Sequence, residues 1–388
     1  FVGVFKIINT HDFRECLRNA LQQKNIKMNS FYHALELYSQ KHPMQAVLTN
    51  NWFDIGHEDK YYNSKLEVRA REFNHITIDK NRGILKKTSD DKDKFIGEIK
   101  WYLKLPADVE YVRPRIFNYS TSYVEPYVSM EYYAYHTVHE LFLYGDLTLQ
   151  QWIDIFNRIR FVCDDFKRYT VQDANIRPAL EEMYLTKTLQ RFEKMKKDER
   201  FITFFESPIV VNGERYLPLN EIIIALEKAI PEMLYDVDSF NIIHGDLCFA
   251  NIMVDSNFSF IKVIDPRGKF GTYDIYGDFR YELAKLFHSV DGKYDFIIKD
   301  LFDLDYNSEV ACINYRIQDR KRDFNLYKVF LDTFSAEVGE DLKKIELIEA
   351  LLFLSMIPLH GESIRHQMVM LGTGLEILNR VIDIKESV

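Results

Sequence analysis

The stretch HGDLCFANIMVDSNFSFIKVIDPRG, His244 to Gly268, sets Asp246, Asn251 and Asp265 among apolar runs. It has the form HxDxxxxN from His244 to Asn251, and Asp265 follows fourteen residues later, before Pro-Arg-Gly. One chemistry uses each of these residue types. A carboxylate at Asp246 can accept or orient the proton of an attacking hydroxyl. The amide oxygen of Asn251 and the carboxylate of Asp265 are hard donors suited to Mg2+, the ion that bridges nucleotide phosphates in phosphoryl transfer. Gly268 lets the chain turn sharply beyond the second donor. The bland alternative is a hairpin whose aspartates only cap turns.

The elements that must position these groups follow from periodicity. NIMV and IKVI read as short buried strands. After Thr148 the rest is mostly helical in period, as in LTLQQWIDIFNRIRFVCDDFKRY, except for a short strand pair around VACINYRIQ. IELIEALLFLSMIPLH is a long helix ended or kinked by Pro358. Near residue 72 the texture is different: FNHITID, the turn KNRG and ILKKTS read as a β-hairpin. DKDKFIGEIKWYLKLP reads as a helix closed by Pro106, and VRPRIFNYS and YVEPYVSMEYY as further strands. Earlier still, FVGVFKI reads as a strand, Thr10 as the N-cap of a helix, SFYHALELYSQ as a second helix and AVLTN as a strand. The expectation is a small β-rich lobe, a connector over residues 131–147 and a large helical lobe, with the site between the lobes.

The HGDxxxxN loop and the strand ending at Asp265 resemble the protein-kinase-like superfamily, in its aminoglycoside phosphotransferase and choline kinase branch. The resemblance implies Asp246 as catalytic base, Asn251 and Asp265 as Mg2+ ligands, and His244 as support for the loop. YDIYGDFRYELAKLFHS resembles the branch's "GDPxxDLA" segment, which puts Asp278 where it would buttress the catalytic loop. ATP (or GTP) is implied as donor, with a small-lobe lysine held by a glutamate. Lys86 and Lys87 both qualify, on opposite strand faces. Lys87 is preferred because it shares a face with Leu85, and Glu98 on the next helix is its natural partner. No GxGxxG precedes this lysine, so phosphates fall to backbone amides near Gly83 and to Arg82. Met130, Glu131 and Tyr132 resemble the hinge whose backbone pairs with an adenine edge. His136, His139 and Glu140 lack a further ligand and are expected on a solvated or half-buried helix face. Arg267 and Lys269 either bind an anionic acceptor or pair with nearby acids.

WFDIGHEDKYYNSKL, residues 52–66, resembles the "W-x-D-x-G-T-x-x-x-Y" segment of sugar-phosphate nucleotidyltransferase catalytic domains. That implies Asp54 as a metal ligand beside a nucleotide. His57 stands where that family has threonine, and the family's nucleotide-binding loop is absent, so the chain by itself is not expected to transfer nucleotides. The alternative is an unrelated α/β leader. The opening FVGVFKI, without methionine, reads as the start of a piece of a longer protein.

A chain of 388 residues with net charge −9 is long enough for two or three domains and poorly suited to a general nucleic-acid surface. It leaves room for a local basic pocket. Cys16, Cys163, Cys248 and Cys312 form no CxxC pair, which suits a reducing compartment, and neither a membrane-spanning run nor a secretory signal is found. A cytoplasmic location is expected. The expected fold is α+β, a two-lobed protein-kinase-like fold with a partial α/β nucleotidyltransferase segment at the N-terminus. Its parts would be 1–70 (nucleotidyltransferase-like), 71–132 (N-lobe) and 133–388 (helical C-lobe). The expected activity is ATP-dependent phosphorylation of a hydroxyl on a sugar, polyol or amino alcohol. It would belong to a bifunctional enzyme making a surface-polysaccharide precursor. The alternative is nucleotidyl transfer as the main activity, with the kinase-like part binding nucleotide or acting as a scaffold.

Overall fold

The computed structural model describes residues 6–22, 30–45 and 74–386. The chain divides into two compact units, Phe1–Arg69 and Ala70–Val388. In the first, helices α1 (Thr10–Gln22) and α2 (Ser30–Lys41) pack around Cys16, Ala20, Ala34 and Tyr38. Thr10 is the first helical residue and not the cap. Asn9 caps instead, its Oδ1 accepting the Asp12 N–H at 3.2 Å while its amide donates to the Asp12 carboxylate at 2.9 Å. The expected strand AVLTN, most of FVGVFKI and the whole segment with Asp54 lie outside the described residues.

The second unit opens with β1 (Asn74–Asp79) and β2 (Ile84–Ser89), paired antiparallel from Asp79↔Ile84 outward and turned at Gly83, φ +64°. With β3 (Ile116–Ser120) and β4 (Tyr127–Glu131) they form a sheet of order β1-β2-β4-β3. Helix α3 (Lys92–Lys104) starts at Asp91, whose side chain accepts the Lys94 N–H. It ends as Leu105, extended at ψ 137°, precedes Pro106. Its buried face carries Phe95, Glu98, Ile99, Trp101 and Tyr102.

The connector becomes β5 (His136–Thr137) and helix α4 (Val138–Tyr144), started by a capping box between Thr137 and Glu140. Helix α5 (Leu149–Lys167) leads through β6 (Thr170–Val171) to α6 (Lys187–Lys196). Here the structure adds a second hairpin to the strand pair expected around VACINYRIQ. β7 (Ile209–Val211) and β8 (Glu214–Tyr216) form a hairpin that joins β13 (Phe302–Asn307) and β14 (Cys312–Ile317) in a sheet of order β13-β14-β7-β8. The turn between β7 and β8 is Asn212-Gly213, both at positive φ, the geometry that matches strand twist.

Helix α7 (Leu219–Leu234) then delivers the chain to β9 (Phe240–Ile242), which pairs with β6 and with β12 (Tyr276–Gly277). Strands β10 (Ile252–Val254) and β11 (Ile261–Val263) form the expected hairpin, and β5 pairs on its edge as Met253↔Thr137. Helix α8 (Phe279–Val290) is buried along its whole length. Helices α9 (Leu342–Met356) and α10 (Ile364–Asn379) close the core, with Pro358 in the short turn between them. The two-lobed α+β architecture is therefore realised: a four-stranded sheet with α3, then a larger, mainly helical part. Among the described residues, no helix is long and apolar enough to cross a membrane.

Candidate active site

Strand alternation turns Lys87 inward and leaves Lys86 exposed, its ammonium 4.6 Å from the centre of the Tyr127 ring. Helix α3 presents Glu98 to the same space. Lys87 Nζ donates to both Glu98 oxygens, at 2.9 and 2.8 Å, and to Asp265 Oδ1 at 2.9 Å. Burial works against the Lys87 charge, but Asp265 and Glu98 together outweigh it and hold the ammonium protonated. Burial pushes Glu98 up to about 7, with Lys87 opposing. The lysine's charge is the more secure of the two, because it faces two carboxylates.

Asp265 reaches this position through an unusual backbone. Its φ is +57°, its N–H donates to the Tyr102 hydroxyl at 3.1 Å, and Gly268 follows at φ +63°. A Cβ on Gly268 would lie 2.1 Å from the carbonyl oxygen of Gly97 in α3. Glycine is needed there for the turn and also for direct backbone contact between the loop and the helix that carries Glu98.

The loop from His244 to Asn251 hangs between β9 and β10. His244 is fully buried; its Nδ1 accepts the Asp246 N–H at 3.3 Å and its Nε2 lies 3.0 Å from the Ile264 carbonyl. That pattern belongs to a neutral ring protonated on Nε2. Burial holds its pKa down to about 4. Asn251 donates its amide N–H to the Asp246 carbonyl at 2.8 Å and to Asp246 Oδ2 at 3.2 Å. Its Oδ1 is thus the atom left for a metal. With the half-exposed carboxylate of Asp265 it makes two hard oxygen donors, which fit Mg2+.

Two residues that motif reading passed over complete this loop. Glu282, buried in α8, accepts the N–H groups of His244 and Gly245, the latter at 2.9 Å. Burial pushes it up to about 8 against those bonds. Lys285, one turn on, lies 2.9 Å from Asp246 Oδ1. Burial disfavours its charge, and Asp246 outweighs that and keeps it protonated. Two charges three apart in a helix otherwise as apolar as YELAKLFHS are the signal that marks them. The hydrogen bonds and ion pair of the Asp278 side chain go to Tyr184 and Arg280 and not to the loop. Asp278 caps α8, pairs with Arg280 at 2.8 Å and accepts the Tyr184 hydroxyl at 2.8 Å, so the buttress is Glu282.

Other expected residues fare unevenly. Met130 is buried in β4, paired with Leu85. The N–H groups of Glu131 and Tyr132 are taken by the carbonyls of Arg115 and Gly83, each at 2.8 Å. The next ones, on Tyr133 and Ala134, have no backbone partner among the described residues. Arg82 is exposed at the hairpin tip and paired with Asp79. His139 is buried and 2.5 Å from Asp295, deeper than the expected solvated or half-buried face, whereas His136 is exposed beside Glu140. Arg267 donates to the Tyr281 hydroxyl at 2.5 Å and has no acidic partner among the described residues. Lys269 is exposed.

No family model matches this chain, and no curated protein does. Solved structures do. A streptomycin–ATP ternary complex of APH(2")-IIa is 14% identical, with 87% of this chain and 100% of that one covered at a TM-score of 0.44. ADP-bound aminoglycoside phosphotransferase APH(2'')-Ib is 14% identical, with 84% and 99% covered at 0.45. Aminoglycoside phosphotransferase APH(4)-Ia is 11% identical, with 83% and 97% covered at 0.46.

Proposed function

We propose that the unit Ala70–Val388 transfers the γ-phosphoryl group of ATP (or GTP) to a hydroxyl of a small molecule. One observation supports this above the others. Lys87 and Asp265, 178 positions apart, meet at 2.9 Å, and the loop carrying Asp246 and Asn251 is fixed beside them. Lys87 spends its three donors on Glu98 and Asp265, so nucleotide phosphates would take over the Asp265 bond while Glu98 keeps the ammonium in place. Mg2+ held by Asn251 Oδ1 and Asp265 would neutralise charge on the phosphates. The acceptor hydroxyl attacks the γ-phosphorus, the bond to the β,γ-bridging oxygen breaks, the nucleoside diphosphate leaves and the proton passes to Asp246. Lys285 and Asn251 each hold one oxygen of Asp246, so the carboxylate is aimed before substrate arrives. The adenine edge would pair with the backbone of residues 133–134, one step beyond the expected hinge.

The acceptor carries an anion of its own in this reading. Lys187 and Arg191 stand one turn apart on α6, and burial, with the charge of Arg267 next, holds both below their ordinary values. Glu182, 3.4 Å from Lys187, is the one carboxylate ion-paired with them among the described residues. In a chain of net charge −9, a cationic group this poorly neutralised fits a phosphate or carboxylate on the acceptor. The nucleotidyltransferase half of a bifunctional enzyme, and with it polysaccharide precursor synthesis, rests on the resemblance around Asp54. Pyrophosphate release from CTP and a sugar phosphate would be its sign. The kinase reading is tested with Asp246→Asn: ATP consumption over glycerate, glycerol, choline, ethanolamine and common sugars should vanish while nucleotide still binds. Unchanged turnover would sink the mechanism.

A further inference from the structure

At the far end of the helical part, the turn between α9 and α10 brings together three groups that the phosphotransfer site does not use. One nitrogen of His360, one nitrogen of His366 and a carboxylate oxygen of Glu362 lie within 4.8 Å of one another. Their placement is local and firm. Ile357–Leu359 is a tight helical turn, and Ser363 caps α10 by accepting the His366 N–H at 3.3 Å, which fixes His366 in the first turn. The side chains of His360 and His366 are 17% and 12% exposed, so both rings sit in the protein with one edge toward the surface.

The hydrogen bonds around the cluster are those of a ligand set. His366 Nε2 lies 3.0 Å from Asp300 Oδ1, so its proton sits on Nε2 and its lone pair on Nδ1. That Nδ1 is buried and has no hydrogen-bond partner, a costly state for an imidazole nitrogen. His360 Nδ1 is 3.1 Å from Glu362 Oε1, about the separation of two ligands sharing one tetrahedral ion, and its Nε2 is 3.4 Å from the Tyr294 hydroxyl. Each imidazole therefore has an outer oxygen partner that can orient it, as metal-bound histidines do.

We propose that His360, Glu362 and His366 bind a first-row divalent cation of the Zn2+ class, with Asp300 and Tyr294 as outer partners. Two imidazoles and one carboxylate are a Zn2+ donor set, and three protein ligands leave one position for water. Closing ligand atoms from within 4.8 Å to bonds of about 2.0–2.2 Å takes only side-chain adjustment, because Glu362 is 66% exposed and able to swing. The ion would tie α10 to the Asp300 segment. It shares no residue with the Mg2+ donors Asn251 and Asp265.

The test uses the full chain, stripped with chelator and held in millimolar Mg2+ to occupy the oxygen donors of the phosphotransfer site. Zn2+ should bind with one equivalent and raise Tm, and Co2+ should give the visible bands of a four- or five-coordinate nitrogen and oxygen site. His366→Gln and Glu362→Gln should each weaken Zn2+ binding by about 100-fold and remove the Co2+ bands. Asp300→Asn should weaken it about tenfold at unchanged stoichiometry. Far-UV circular dichroism and the metal-free Tm keep loss of fold distinct from loss of ligand. The proposal is overturned by a wild-type chain with no Zn2+-dependent shift, or by a His360/Glu362/His366 triple variant that binds as wild type does.

Discussion

Lys87 and Arg267 are both cations beside Asp265, yet they are built in opposite ways. Lys87 is 3% exposed and meets two carboxylates through three short bonds. Arg267 ends on a neutral phenol, Tyr281, and its charge weighs on Lys187 and Arg191. The first is a finished electrostatic unit, assembled by folding. The second is a cation short of counter-charge, which in the proposed reading meets the anion of the acceptor. A group complete without ligand positions chemistry, and a group left short of counter-charge recruits substrate.

The largest effect should come from breaking the finished unit. Lys87→Met leaves Glu98 buried without its cation and is expected to lower kcat/KM for ATP-dependent phosphorylation by on the order of 10³-fold. Lys86→Met, on the exposed face of the same strand, should leave it within about twofold. Equal losses at both positions, measured in the same steady-state assay, would erase the distinction drawn between the two faces.

Lys285→Met comes next. It removes the ion pair to Asp246 Oδ1, and loss of aim in the base is expected to lower kcat by about 10²-fold while nucleotide KM stays within about twofold. A rise in nucleotide KM with kcat intact would move Lys285 from the base to the phosphates.

Arg267→Ala should act on the acceptor side only. KM for a phosphate- or carboxylate-bearing acceptor is expected to rise about tenfold, with nucleotide KM unchanged, and the wild type should prefer glycerate to glycerol. A variant with unaltered acceptor KM, or a wild type that prefers neutral acceptors, would remove the anionic acceptor and leave the kinase reading standing.

What could be read in advance follows the same divide. The residues of the loop and of β2 were legible because each role demands one residue type at a fixed step: Asp246 and Asn251 five apart, Lys87 and Leu85 on one strand face. Glu282 and Lys285 were harder. They meet a loop 37 to 39 positions away, and only folding shows that a charged pair on α8 faces it. The Lys187–Arg191 cluster is farther still, since nothing in α6 points to Arg267 until the chain is folded. The β7–β8 hairpin was legible and easily overlooked, because Asn212-Gly213 sits between runs of only three residues, too short to outweigh the helical periodicity around them. The Thr10 cap shows a smaller limit: Asn9 and Thr10 are both cap formers, and the geometry of Asp12 decides between them.

His244 and Glu98 should also titrate in opposite directions. His244, on the loop side, is buried neutral, with its pKa lowered from 6.5 to about 4. A depressed histidine contributes stability that is complete above about pH 6.5 and is lost as pH falls through about 4, a span worth on the order of 3 kcal/mol. Glu98, on the nucleotide side, has its carboxyl raised from 4.5 to about 7. Its contribution is complete below about 4.5 and is lost as pH rises through about 7. In urea unfolding from pH 4 to 8, His244→Asn should flatten the acid limb and leave the neutral limb alone, and Glu98→Gln should make the neutral limb shallower, with Glu282, also raised by burial, supplying the rest of its slope. A His244 variant whose stability falls in acid as steeply as wild type would mean that the ring is not what couples the loop to protons. Charging His244 would put a second proton on Nδ1, against the Asp246 N–H, so acid should loosen the Asp246 loop before it disturbs the Lys87 group.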